Sequence, residues 1–259
     1  MTTSCGSPGA YCFYKRFEAA PARTVTFDRD YLLYSADGAM RITADGRSWL
    51  LPPVRAAWIP AAMPVTVAMS RPVTCCSVLF DPEFIDHRVR QCSVFAMDVL
   101  AREMILHSRR WSREDVPLDV HAEVFLKALA ETCIELAQNP LELWLPTGQT
   151  DAVKLALSLT EDKLAGPVTM TEIADGCHMT SRSLARRIRG ETGMSWGELL
   201  RRMRMIRATE LLSEPESRVL DVALSAGYES LSAFNRAFQS FSGVTPSRYR
   251  AEFSRKDRV

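Results

Sequence analysis

Two sets of side chains in the last third of the 259-residue chain have the types and the spacing to grip a polar partner. Arg182, Arg186 and Arg189, with Ala185 between them, fall on one helix face opposite Leu184 and Ile188. Ser232, Asn235, Arg236 and Gln239 fall on another, opposite Phe234 and Phe238. These side chains donate and accept hydrogen bonds, unlike the Glu/Lys mixture of a merely solvated helix. A planar guanidinium matches guanine O6/N7 or two oxygens of a phosphate, and an Asn or Gln amide matches the edge of adenine. Ser and Arg also suit phosphate oxygens. An isolated helix with such a face is more often simply solvated, so the spacing gains meaning only from the elements that position it.

The chain supplies that scaffold by repeating itself. At a shift of 50 residues Leu184 aligns with Phe234, Ile188 with Phe238 and Gly193 with Gly243, and "GMSW" aligns with "GVTP". Upstream, Ile173-Ala174 aligns with Val222-Ala223 at a shift of 49, so one turn is a residue longer. Each copy reads as a short helix, a tight turn, a second helix with an apolar stripe, and a glycine stop. Thr180 and Ser230 are placed as N-caps, and Thr169 with Glu172 and Ser195 with Glu198 as capping boxes. Leu231, Phe234, Phe238, Phe241 and Tyr249 are expected in the core. Two short helices joined by a tight turn are the pattern of a helix-turn-helix, whose second helix enters the DNA major groove. One such match is weak; two whose stripes, caps and stops superpose are much stronger. The connecting helix, Ser195 to Ser213, spans roughly 27 Å against about 34 Å for one turn of DNA. A strut of that length suits two reading heads in successive major grooves.

The motifs "TEIADGCHMTSRSLARRIRGETGMSWGELLRRMRMIRATELL" (171–212) and "VLDVALSAGYESLSAFNRAFQSFSGVTPSRYR" (219–250) resemble the AraC/XylS family of bacterial transcription regulators. The second follows that family's signature: a Gly-Phe/Tyr turn, a Phe-containing recognition helix, then G-x-[ST]-P-x-x-[YF]-R. The resemblance runs from near residue 150 to near residue 253. It implies a seven-helix DNA-binding domain, usually an activator, with double-stranded DNA and RNA polymerase as partners. "LLYSADGAMRITADGRSWLLPPVRAAWIPAAMPVTV" (32–67) resembles the cupin-like sensor domain of one branch of the family. That branch often has histidine after "Pro-x-x-x-Pro", where this chain has Val65, and residues 1–86 contain no histidine. The alternative of a metal-dependent cupin enzyme with an ancillary DNA-binding domain is therefore disfavoured, and no metal, cofactor or catalytic residue is expected.

The N-terminal part reads as short strands over residues 24–80, broken by Asp-Gly, Pro-Pro and Arg-Pro turn signals. Helical periodicity follows, with Asp98 and Asp119 placed as N-caps. Tyr34, Arg41, Trp49 and Trp58 are the candidate effector-binding residues, against the commoner role of aromatics as core; Arg41 and Arg55 suit an anion. Arg109 and Arg113 around Trp111 suit a phosphate-bearing ligand. Seven cysteines without CxxC spacing read as free thiols, with Cys75 and Cys76 expected on opposite faces of a strand. His87, His107, His121 and His178 show no metal spacing. Residues 1–10 are expected to fray.

The net charge of +1 conceals an asymmetry. Residues 182–250 hold 12 arginines, no lysine and 7 acids, whereas residues 1–150 hold 15 basic against 17 acidic side chains. There is no run of 18 apolar residues and no basic start followed by an apolar stretch, so no membrane partner and a cytoplasmic location are expected. The expected fold is α+β and multidomain. A cupin-like effector-sensing or dimerisation domain occupies residues 1–146, with a barrel about 20–80 and helices about 98–139. An all-α AraC-type domain occupies 147–259, with helix-turn-helix motifs about 170–192 and 218–242 joined by a connector at 195–213. The expected function is a sequence-specific transcriptional regulator, an activator, controlled by a small effector or by homodimerisation.

Overall fold

The computed structural model describes residues 8–86, 89–113, 117–212 and 217–254. Cys5, His87, Ser213 and residues 1–7 of the stretch expected to fray lie outside the described residues. The chain divides into two compact units, Met1–Leu143 and Trp144–Val259.

The first unit contains β1 (Ala10–Phe17), β2 (Ala20–Val25), β3 (Asp30–Asp37), β4 (Met40–Ala44), β5 (Arg47–Leu51), β6 (Arg55–Ile59), β7 (Val65–Met69), β8 (Val73–Phe80) and β9 (Ser93–Ala96). Two helices follow, α1 (Val99–His107) and α2 (Val120–Ala137). One antiparallel sheet has the order β1-β8-β3-β6-β9, and a second contains β5-β4-β7-β2. The β4–β5 hairpin turns on Asp45-Gly46, both with positive φ (48° and 70°), which is the backbone that an Asp-Gly pair favours. Strands β1 and β9 precede and follow the stretch from which strands were expected. "AYCFYKRF" follows Pro8-Gly9 at the end of the stretch expected to fray, and "SVFA" is too short to show alternation.

Alternation along the first sheet divides its residues between two buried faces. Leu32, Tyr34, Ala56, Trp58, Cys76, Val78, Phe80 and Phe95 pack with α1 and α2. The α2 stripe of Ala122, Leu126, Leu129, Ala130, Cys133, Ile134 and Ala137 recurs every three or four residues and meets them. Tyr31, Leu33, Ala57 and Ile59 line the opposite face and are buried as well. Asp98 and Asp119 cap the two helices by accepting from the backbone N–H groups of Ala101 and Ala122 at 2.7 Å.

The second unit begins with a short strand, β10 (Trp144–Pro146). Then come α3 (Asp151–Asp162), α4 (Met170–Gly176), α5 (Ser181–Thr192), α6 (Trp196–Leu212), α7 (Val219–Ser225), α8 (Leu231–Ser242) and α9 (Pro246–Ser254). Apolar cores form at both ends of α6, and between them Met203 and Ile206 pack with Leu145 and Leu164. One joins Val153 and Ala156 of α3, Ile173 and Ala174 of α4, Leu184 and Ile188 of α5, and Leu199. The other joins Met205, Ala208 and Leu212 to Val222 and Ala223 of α7 and Phe234 and Phe238 of α8. At 17 residues α6 is about 25 Å long, and its two ends serve different cores. The Trp196 indole N–H donates to Thr160 Oγ1 at 3.0 Å, which ties the start of α6 to α3.

Candidate nucleic-acid interface

The hairpins α4–α5 and α7–α8 are built by the same contacts in the same order. Thr180 and Ser230 accept from the N–H groups of Ser183 and Ala233, opening α5 and α8. Met179 N–H donates to Ala174 O and Tyr228 N–H to Ala223 O, each at 2.9 Å, closing the two turns. His178 (φ 54°) and Gly227 (φ 77°) occupy the matching left-handed position, 49 residues apart. Both second helices end on a left-handed glycine, Gly193 or Gly243, after a hydroxyl (Thr192 or Ser242) that donates back to Ile188 O or Phe238 O. Behind α8 the Phe234 and Phe238 rings lie 5.7 Å apart, and Tyr249 meets Phe238 edge-on at 5.3 Å. The phenylalanine stripe is scaffold.

On the outward faces Arg182, Arg186 and Arg189 of α5 and Ser232, Asn235, Arg236 and Gln239 of α8 are exposed, and Ala185 is half-buried. No side-chain hydrogen bond or ion pair joins Arg182, Arg186, Asn235, Arg236 or Gln239 to another described residue. Other arginines are used internally. Arg202 donates to Trp144 O and sits 4.7 Å from that indole ring. Arg204 donates to Gly166 O at 2.9 Å, Arg207 pairs with Glu210 at 2.8 Å, and Arg250 donates to Ser217 O at 2.7 Å. The charge excess of this region is thereby sorted into arginines that hold the fold and arginines that face outward.

Leu231 corrects one expectation. Its spacing to Phe234 and Phe238 predicts a core position, yet it is 40% exposed. As the first residue of α8 its side chain leans toward the helix N-terminus, beyond the edge of the core that Phe234 and Phe238 fill.

Glu191 on α5 carries a role no local pattern announced. Its carboxylate accepts from the N–H groups of Gln149 and Thr150 at 2.7 and 2.9 Å and from the Thr150 hydroxyl at 2.6 Å. It thus caps α3, whose own N-cap Thr150 makes no side-chain cap bond. Desolvation raises the Glu191 pKa, but the Thr150 and Gln149 hydrogen bonds and the Arg187 charge outweigh it and hold the group below its ordinary 4.5. Glu172 is lowered by hydrogen bonds from Thr169, and Glu198 by hydrogen bonds from Ser195, completing two capping boxes. Depressed carboxylates stabilise the folded state above about pH 4.5, and that contribution is withdrawn as the pH falls through their lowered values. Glu191→Ala is expected to cost about 1–2 kcal/mol at pH 7 and clearly less near pH 3.5, read by denaturant unfolding. An equal cost at both pH values would contradict the capping role.

In the first unit the four candidate effector residues do not share a face. Tyr34 and Trp58 lie under α1 and α2, where Trp58 stacks on Phe80 at 5.5 Å and Tyr34 Oη donates to Pro53 O at 2.8 Å. Trp49 pairs with Ile42 across β4–β5 and is buried, while Arg41, the next residue along β4 from Ile42, lies on the opposite face and is half-buried. Arg55 is 2% exposed and donates to Leu50 O at 3.3 Å. Arg109 and Arg113 lie over the rings of Tyr14 and Tyr11. Cys76 faces α1, where it lies 3.9 Å from Cys12 Sγ and donates to Ile105 O; Cys75 lies on the other face. Among the described residues no group of three or more His, Cys, Asp or Glu is placed to hold a metal ion. No helix among them is long and apolar enough to cross a membrane.

Exposed arginines and amides thus stand on two capped helices of the second unit, each backed by its own core. The family model described as "Helix-turn-helix domain" matches residues 173–252. Over 250 residues the chain is 26% identical to the HTH-type transcriptional regulator NimR of Escherichia coli (strain K12), covering 95% of this chain and 88% of NimR. It is 35% identical over 114 residues to the HTH-type transcriptional activator RhaR of Yersinia pseudotuberculosis, covering 43% of this chain and 38% of RhaR. A crystal structure of a DNA-binding transcriptional dual regulator from Escherichia coli K-12 shares 28% identity, with a TM-score of 0.39, over 41% of this chain and 96% of that one. Residues 173–252 thus carry a helix-turn-helix domain, in a chain similar over most of its length to an HTH-type transcriptional regulator.

Proposed function

We propose that this chain is an AraC-type transcriptional regulator that reads DNA with two helix-turn-helix heads, α4–α5 and α7–α8, held by α6 in successive major grooves on one side of the duplex. The observation that carries the reading is the duplicated hairpin. Caps, left-handed turns, apolar stripes and glycine stops recur at shifts of 49 and 50 residues, and each copy leaves a polar face exposed. Arg182, Arg186 and Arg189 with Ala185 form one reading face; Ser232, Asn235, Arg236 and Gln239 form the other. The first unit is a cupin-like sensing or dimerisation domain whose state sets the affinity of the heads. Activation through RNA polymerase is the mode of control, in keeping with the name of RhaR, a relative matched over the DNA-binding region.

The test is titration of duplexes selected from a random pool with the full chain at several salt concentrations. Submicromolar, sequence-dependent binding whose affinity falls steeply with salt is the expected result. Equal affinity for selected and scrambled duplexes would overturn the reading.

A further inference from the structure

The two outward faces, matched in architecture, differ in chemistry. Helix α5 carries Arg182, Arg186, Arg187 and Arg189 against one acid, Glu191. Helix α8 carries one charged side chain, Arg236, with Asn235, Gln239 and Ser232 around it. At the 50-residue shift, Leu231 of α8 takes the place of Ser181. A single exposed leucine is ordinary on a protein surface. This one, however, stands in the first turn of the helix whose polar face has no partners among the described residues, one turn before Asn235.

In the major groove the C5 methyl of thymine is the apolar group that a base pair presents. It lies across the pair from adenine N6/N7, the edge that an Asn or Gln amide fits. Guanine offers O6 and N7, the match for arginine. Resting on the two-head reading, we infer that the heads recognise half-sites of opposite composition. Helix α8 takes an A·T half-site, with Leu231 on a thymine methyl and Asn235 or Gln239 on adenine. Helix α5 takes a guanine-bearing half-site through Arg182 and Arg186. Leu231 is the specificity-determining residue of the second head.

The decisive probe replaces thymine by dU, which removes the methyl and leaves the pairing edge intact. Each thymine of a selected duplex is changed singly, and binding of the full wild-type chain is compared with that of Leu231→Ala. Wild type is expected to lose about three- to fivefold at one or two positions confined to the half-site poor in guanine. Leu231→Ala should bind the thymine and dU duplexes equally there. Leu231→Ser, which installs the residue of the first copy, should behave the same way and serves if the alanine variant folds poorly. A specific duplex whose halves do not differ in composition, or a dU effect equal in wild type and variant, overturns this inference alone. Failure to recover any specific duplex overturns the two-head reading with it.

Discussion

Arg186→Ala weakens binding to the selected duplex by about 1–3 kcal/mol, roughly 5- to 150-fold in Kd, and relaxes the preference for guanine at one position. The size follows from the geometry of α5. Arg186 is exposed, sits between Arg182 and Arg189 on the face opposite Leu184 and Ile188, and has no partner among the described residues. Among the described residues its guanidinium holds no part of the fold, so truncation is expected to remove a DNA contact and little stability. A bidentate grip on guanine is lost at one position, whereas a phosphate contact would be lost evenly across sequences, with the salt slope reduced by about one. Arg236→Ala tests the second head by the same measurement of affinity and footprint. Unchanged affinity and footprint in both variants would remove the proposed readers.

Gly227→Ala is the largest expected loss of stability, about 2–5 kcal/mol in the second unit. Two physical terms add. Residue 227 has φ 77°, a conformation that costs any residue with a Cβ about 1 kcal/mol or more. The added methyl also runs into the Leu164 carbonyl oxygen and comes within 2.8 Å of the Arg204 guanidinium, and overpacking of this kind costs about 1–3 kcal/mol. The matching position in the first copy gives the opposite sign. His178 has φ 54° and an exposed side chain, so His178→Gly relieves backbone strain and stabilises by about 0.5 kcal/mol. Denaturant unfolding of the two variants measures both. Destabilisation by His178→Gly comparable to that of Gly227→Ala would contradict a shared turn geometry.

Much of the second unit was legible because its signals are local. Thr180, Ser230, Gly193 and Gly243 mark helix ends through their own backbone preferences, and Leu184, Ile188, Phe234 and Phe238 mark buried faces by period. Leu231 misled because period alone cannot tell where a core ends. The left-handed turn at His178 was hidden by its residue type, since Gly227 announces that backbone and histidine does not. The capping of α3 by Glu191 spans 41 residues and leaves no local trace. In the first unit the Asp-Gly hairpin was readable, whereas β1 and β9 gained their strand character from neighbours distant in the chain. Tyr34, Arg41, Trp49 and Trp58 share residue types suited to a ligand, but alternation and sheet order put them on different faces, and sheet order is not displayed by the sequence.

The central claim is two heads in successive major grooves, and missing-base interference on a selected duplex tests it most directly. Removing a base deletes the major-groove edge that a side chain grips, whether that base is guanine, adenine or thymine. Two clusters of interference about 10 base pairs apart on one face of the helix are expected, one of them lost in Arg186→Ala and the other retained. A single cluster, or two that respond alike to Arg186→Ala, would contradict the account.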